Sequence, residues 1–311
     1  MALFQLIIDY NGARKMILKN LKKIPINDSV LWKKYLSVLG IVSSIVTLLS
    51  FFLTAEKIPI NNYILMILFL VILVIIFIYI LYKASTQKKA NIIINDTKVS
   101  ILEGNIFSSL DAENTEKNNS INIIPVNDYF DTIVDDRIIS KKSLHGQFIY
   151  KIKKQGKLEQ LENTIQTDEY LNTKSDREYI ADRRTGRKYR YRLGSVIEFE
   201  SYILAAFSRF DDDNKAYVSA QEYTNFWMCF WNNIDRIYAG RTINIPLVGA
   251  GITRFRDGKP SKQELLETIL WTLKVSRFQN TYVDRGINIL VSKEDMSLID
   301  FFSIQNSNKW K

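Results

Sequence analysis

Apolar positions are crowded towards the start of this chain. From Tyr35 to Thr54 and from Tyr63 to Tyr82 the sequence runs without Asp, Glu, Lys or Arg, about twenty residues each time, the length that crosses the hydrocarbon core as a helix. The eight residues between, Ala55–Asn62, hold Pro59 and two asparagines, so the pattern predicts two transmembrane helices (35–54 and 63–82) joined as a hairpin. A cleaved signal peptide fits poorly, because the first apolar stretch starts late and a second full-length one follows. Arg14, Lys15, Lys19, Lys22, Lys23, Lys33 and Lys34 precede the hairpin and Lys83, Lys88 and Lys89 follow it, whereas the connecting loop has only Lys57 beside Glu56. By the positive-inside rule both termini face the cytoplasm, which makes the chain a multi-pass protein of the cell inner membrane.

The two apolar stretches differ in kind. Ser37, Gly40, Ser44 and Thr47 form a stripe of small residues on the first, suited to close approach of another helix, within the hairpin or in a second copy. The second is mainly Ile, Leu, Val and Phe and reads as lipid-facing. Residues 1–34 are basic, and 3–24 alternate apolar with basic clusters as an amphipathic helix lying in the interface would.

Beyond about Asn91 the periodicity changes. Short β-type runs at Val99–Ile106, Ile121–Val126, Ile243–Val248 and Ile287–Val291 alternate with two helical patterns opened by capping boxes, Ser219 with Glu222 and Ser261 with Glu264. The first helix should bury Phe226, Trp227, Phe230, Ile234 and Ile237, the second Leu265, Leu266, Ile269 and Leu273. Strands alternating with helices predict an α/β domain with a mixed sheet covered on both faces, over 91–311.

Residues 150–192 read as a charged insertion, ending in Arg183-Arg184-Thr185-Gly186-Arg187-Lys188-Tyr189-Arg190-Tyr191-Arg192, a hairpin turning at Gly186. Basic residues interleaved with tyrosines suit single-stranded nucleic acid, but no binding module surrounds them, and a solvated or membrane-proximal face explains them better. The net charge of +9 is likewise better explained by anionic lipid than by nucleic acid. One cysteine, Cys229, and one histidine, His145, exclude a disulfide framework and the usual zinc and haem constellations.

Candidate chemistry sits in Asn244-Ile245-Pro246-Leu247-Val248-Gly249-Ala250-Gly251-Ile252-Thr253-Arg254-Phe255. A buried strand ends in Gly-x-Gly before a helix, where α/β sheets bind ligands and where glycines let backbone N–H groups approach an anion. No Gly-Lys-Ser/Thr follows, so this is no Walker loop. Arg254 is placed to pair with phosphate, or with Asp257.

With Gly104-Asn105-Ile106 and Ile124-Pro125-Val126-Asn127, this loop resembles the macro domain, an α/β/α module that recognises ADP-ribose. The resemblance implies adenine near Asn105 and Ile106, a distal ribose near Val126 and Asn127 rather than Asp128, and diphosphate held by Gly249 to Phe255 with His145 and Gly146. Two apolar helices ahead of such a domain, with Ser143-Leu144-His145-Gly146-Gln147 between the motifs, resemble the TM-macro effectors of type II Thoeris antiphage defence. Departures are the amide of Asn105 in place of a carboxylate and the missing triple-glycine loop, so a ligand other than plain ADP-ribose is implied. His145 suits either a phosphate contact or a structural bond to the backbone, and Asp135 and Asp136 either a cationic ligand end or solvent.

The resemblance implies a non-catalytic effector without cofactor. It would bind an ADP-ribose derivative, such as a histidine conjugate made by a TIR-domain protein, then form a homo-oligomer and disrupt membrane lipid. A membrane-tethered ADP-ribose hydrolase and a scaffold are the alternatives.

Overall fold

In the computed structural model, described for residues 27–50, 61–108, 120–172, 177–211, 215–280 and 285–310, the chain forms two compact units. The first contains α1 (Ser29–Ser50) and α2 (Asn62–Thr86), both long and apolar enough to cross a membrane. The amphipathic segment 3–24, most of the hairpin loop and the predicted end of the first span lie outside the described residues. The helices meet near their basic ends, where Tyr35 donates to the Leu73 carbonyl at 3.3 Å and Trp32 and Tyr35 each pack on Phe77 at 5.2 Å between ring centroids.

Gly40 and Ser44 are exposed, and a methyl group added at Gly40 would meet nothing within 4 Å. The small-residue stripe therefore does not hold the hairpin together. Ser44 and Thr47 instead bond back to the Gly40 and Ser43 carbonyls.

The α/β pattern predicts a domain over 91–311, and in the structure Asp300–Lys309 groups with the hairpin. There a short helix, α7 (Phe301–Asn306), sets Phe302 among Leu31, Ile80, Leu81 and Ala84, and Gln87 donates to Gln305 at 2.9 Å. An apolar wedge thus closes the base of the hairpin.

The second unit is a three-layer sandwich. Its nine-stranded sheet has the order β1 (Ala90–Ile94), β2 (Thr97–Glu103), β11 (Gly286–Val291), β9 (Thr242–Pro246), β3 (Ser120–Asn127), β7 (Tyr202–Phe210), β8 (Ala216–Val218), β10 (Arg254–Phe255), with β6 (Val196–Phe199) also on β7. β2, β11, β9, β3 and β7 run parallel, and β6 and β8 lie antiparallel to β7. Asn95 and Asp96, with φ of 48° and 58°, form the two-residue turn from β1 to β2.

Alternation along the central strands sends side chains to opposite faces. On one side Ile124 and Val126 of β3 and Leu204 and Ala206 of β7 pack with Phe148 and Ile152 of α3 (Leu144–Lys154) and Leu161 and Ile165 of α4 (Leu158–Thr167). On the other, Phe207 meets Phe226 of α5 (Ala220–Ile234) at 5.0 Å. Both expected capping boxes form, at α5 and at α6 (Lys262–Val275). Ile237 is a correction, because α5 ends at Ile234 and Tyr238 is buried beyond it instead.

Three strands repeat Ile-Asn-Ile, and their asparagines form a ladder in register. Asn244 donates to Asn122 at 3.0 Å and Asn288 to Asn244 at 2.9 Å, across β3, β9 and β11. Two amide–amide bonds thus link the three strands from within the sheet.

The stretch expected as a charged insertion is part of the fold. It contributes the last five residues of α3, all of α4, and the hairpin of β4 (Arg177–Tyr179) and β5 (Tyr189–Tyr191), with Gly186 at φ +84° in its loop. Arg183 pairs with buried Asp131 and lies 3.5 Å over the Tyr129 ring. The basic run is thereby tied to the end of β3 by its own charges.

Candidate functional site

β2, β11 and β9 are neighbouring parallel strands, and all three end on one edge of the sheet. Their ends and continuations, Glu103–Ile106, Leu290 with Ser292–Asp295, and Pro246 and Leu247 with Ala250 and Gly251, surround a cavity of about 820 Å³. Leu144 and Gln147 of α3 and Lys262 of α6 complete it. The carboxyl edge of parallel strands is where backbone groups point outward without ladder partners, so ligands settle there. The volume suits a nucleotide-sized molecule.

Each part of the wall has a local cause. Gly104 donates to the Val291 carbonyl at 3.0 Å, and a methyl group added there would come within 2.8 Å of Leu290. Asn105 turns the chain by accepting the Phe107 N–H at 2.9 Å and lines the cavity. Gly249 has φ +84°, and a methyl group added there would meet Phe255, Leu265 and Tyr223 at 3.2–3.3 Å. Gly251 has an ordinary φ and open space around it. The loop carbonyls are held from outside: Lys262 donates to Ala250, and Lys259 to Gly251 at 3.1 Å. Lys262 also pairs with Asp295 at 3.4 Å.

The structure thus brings Asn105, Ile106, Ala250 and Gly251 to the cavity, with Gly249 supporting the loop beneath. The rest of the loop leads away. Ile252 is exposed, Thr253 connects, and Arg254 and Phe255 form β10 against β8. Exposed Arg254 lies 5.9 Å from the Tyr217 ring rather than in the cavity wall, and Asp257 accepts the Ala220 N–H at 3.1 Å. Phe255 packs on Tyr223.

Val126, Asn127, His145 and Gly146 are interior residues. Val126 belongs to the core beneath α3. Asn127 donates to Asp131 at 2.8 Å and accepts the Asp131 N–H at 3.1 Å, which occupies its amide in shaping the loop after β3. His145 Nε2 lies 2.9 Å from the Asp131 carbonyl. A carbonyl only accepts, so that nitrogen carries the proton. Burial lowers the His145 pKa to about 4, leaving the ring neutral. A methyl group on Gly146 would stand 2.2 Å from the Ser140 carbonyl, so this glycine serves the approach of α3 to that loop. Asp135 and Asp136 build the same loop, accepting the N–H groups of Ile138 and Lys141, which hold both carboxyls below their usual range.

Lys262 and Ser292–Asp295 were not foreseen. Their signal was positional: Ser292–Asp295 follows the last predicted strand directly, and Lys262 follows the N-cap Ser261 of a predicted helix.

A mixed sheet between helical layers, with the glycine-bearing loop and the Asn105-Ile106 segment both lining one edge cavity, is consistent with a macro domain. Residues 99–292 match the family described as "Thoeris protein ThsA, Macro domain". The chain is also 32% identical over 272 residues to "Thoeris protein ThsA" of Bacillus amyloliquefaciens (strain Y2), covering 87% of this chain and 88% of that protein. The chain belongs to the ThsA macro-domain family, here preceded by two helices of membrane-spanning length.

Proposed function

We propose that this chain is a membrane effector of Thoeris antiphage defence that binds a nucleotide signal of the ADP-ribose type. Its macro domain captures the ligand, an ADP-ribose conjugate such as that of histidine supplied by a TIR-domain protein, and occupancy drives chains to assemble and breach the inner membrane. The observation that carries this reading is the cavity at the ends of β2, β11 and β9, large enough for a dinucleotide-like molecule and bordered by the Gly249-Ala250-Gly251 loop. A binder needs only a difference in affinity between two states of the protein. Membrane attachment is supported by α1 and α2, whose outward faces carry exposed Leu, Ile, Val and Phe. The distribution of lysines supports cytoplasmic termini.

A hydrolase is the second reading, favoured by Glu103 and Glu294 in the cavity wall. Binding alone is preferred because the one histidine is neutral, buried and bonded to a backbone carbonyl.

Calorimetry on the full chain in detergent micelles tests the reading, with ADP-ribose and its histidine conjugate as titrants. Saturable heat with unchanged nucleotide on recovery is expected. Absence of heat with both would refute it, and rapid turnover would replace it with the hydrolase.

A further inference from the structure

We infer that the Lys262–Asp295 ion pair is a latch, and that an anionic ligand opening it loosens α7 from the base of the transmembrane hairpin. The latch rests on the cavity reading above and assigns Lys262 as the cation that meets the ligand's phosphates.

Lys262 projects from the first residue of α6 and holds two things with one ammonium group, the Ala250 carbonyl of the glycine loop and, at 3.4 Å, the Asp295 carboxylate. Both side chains of the pair are mostly covered, 15% and 18% exposed, so solvent screens them only in part. Asp295 closes a turn in which its N–H bonds the Ser292 carbonyl at 2.9 Å and its carboxylate accepts the Ser292 hydroxyl at 3.0 Å. Residues 292–295 therefore belong to the cavity wall. A short one-turn helix, Met296–Leu298, and two more residues separate that wall from Phe301. Next comes Phe302, one of five residues in the apolar cluster with Leu31, Ile80, Leu81 and Ala84.

Chain connectivity makes the cavity wall and the hairpin wedge neighbours in sequence. A diphosphate lying along Ala250–Gly251 would approach the same ammonium that Asp295 uses. Two anions then compete for one cation, and the displaced carboxylate is left beside negative charge. The state in which Asp295 moves away binds the ligand better, which is the differential affinity a ligand needs to shift an equilibrium. Movement of the turn pulls on Asp300, whose carboxylate caps α7 through the Ser303 N–H at 2.9 Å.

Hydrogen exchange on the full chain in detergent micelles reads the latch without any ligand. In Asp295→Asn and in Lys262→Gln, amides of residues 301–306 should exchange about tenfold faster than in the parent, while Glu294→Gln, a neighbouring charge outside the pair, should match it. Parental rates in both latch variants would overturn the proposal. Oxidised Gln87→Cys/Gln305→Cys, which fastens α7 to α2, should cancel the acceleration in Asp295→Asn. Persistence of the acceleration in the oxidised protein would show that it arises elsewhere and would sink the latch. ADP-ribose is then added to the parent. Binding with faster exchange at 301–306 supports the latch, and binding without it refutes it. If neither ADP-ribose nor its histidine conjugate gives heat while Asp295→Asn still accelerates exchange, the ligand reading fails and the coupling of turn to wedge stands.

Discussion

Asp131 receives both arms of the Arg183 guanidinium, Nη1 at 3.1 Å on Oδ1 and Nη2 at 2.7 Å on Oδ2, with the carboxylate wholly buried. The same carboxylate accepts the Arg187 N–H at 2.8 Å and the Asn127 amide at 2.8 Å. The loop after β3 and the β4–β5 hairpin are therefore fixed by one side chain. Removing one partner strands a buried charge. Arg183→Met should destabilise the domain by about 3–5 kcal/mol, and Asp131→Asn with Arg183→Met should cost less than the two single changes added. Denaturant unfolding followed by fluorescence of buried Trp227 and Trp231 checks both; strictly additive losses would mean the pair is not coupled.

The two loop glycines should separate stability from binding. A side chain at Gly251 meets open space, whereas Gly249 combines φ +84° with three neighbours near van der Waals contact. Gly251→Glu should melt like the parent and lose at least about a hundredfold in nucleotide affinity through added bulk and like charge. Gly249→Ala should lower stability by roughly 1–3 kcal/mol. Parental affinity in Gly251→Glu would make the loop a plain turn.

Stability should respond to acid through two buried groups of opposite sign. The folded state depresses His145 from 6.5 to about 4, so its contribution is present above pH 6.5 and is lost as pH falls towards 4. Burial pushes Asp128 from 3.8 up to about 7, against the pull of Arg190 and Arg209, so folding favours its neutral form and stability falls as pH rises from about 4 to 7. The slopes oppose each other in the parent between pH 4 and 6.5. His145→Gln should expose a stability that falls with rising pH, and Asp128→Asn one that rises. Thermal melts at pH 4.5 and 6.5 decide it, and identical slopes in both variants would contradict the assignment.

The exposed stripe on α1 gives a test of assembly. Gly40→Leu with Ser44→Leu adds bulk to a face that the hairpin does not use, so insertion and nucleotide binding should be unchanged while copies are held apart. Cross-linking in liposomes with and without nucleotide should show fewer higher-order species than the parent. Equal yields would remove this face from the assembly.

Legibility followed the range of the interactions involved. The two long apolar helices, the capping boxes at Ser219 and Ser261 and four strands could be read because each is coded by neighbours in the chain. β7 could not, although it is the longest strand of the sheet. Its run Tyr202–Phe210 is buried on both faces and so lacks alternation. The arginines of 183–192 looked like a solvent or ligand surface because their acidic partners, Asp128 and Asp131, lie some fifty residues earlier in the chain. In the site, the glycine loop announced itself through backbone chemistry, whereas Lys262 and Asp295 meet across 33 positions and only the folded sheet brings them together.

The asparagine ladder across β3, β9 and β11 has a consequence for how this sheet finds its pairing. Ile121-Asn122-Ile123, Ile243-Asn244-Ile245 and Ile287-Asn288-Ile289 are almost interchangeable segments, and isoleucine packs about as well against one neighbour as against another. A strand displaced by two residues would keep its apolar side chains on the correct faces, so hydrophobicity alone scarcely penalises that error. It would, however, set the amides against residues such as Thr242, Pro246, Gly286 or Leu290, two positions from their partners, and strand buried polar groups at about 1–3 kcal/mol apiece. Three asparagines thus act as alignment marks for strands of nearly identical composition, and replacing all three by valine would yield a greasier sheet with several competing registers in place of one.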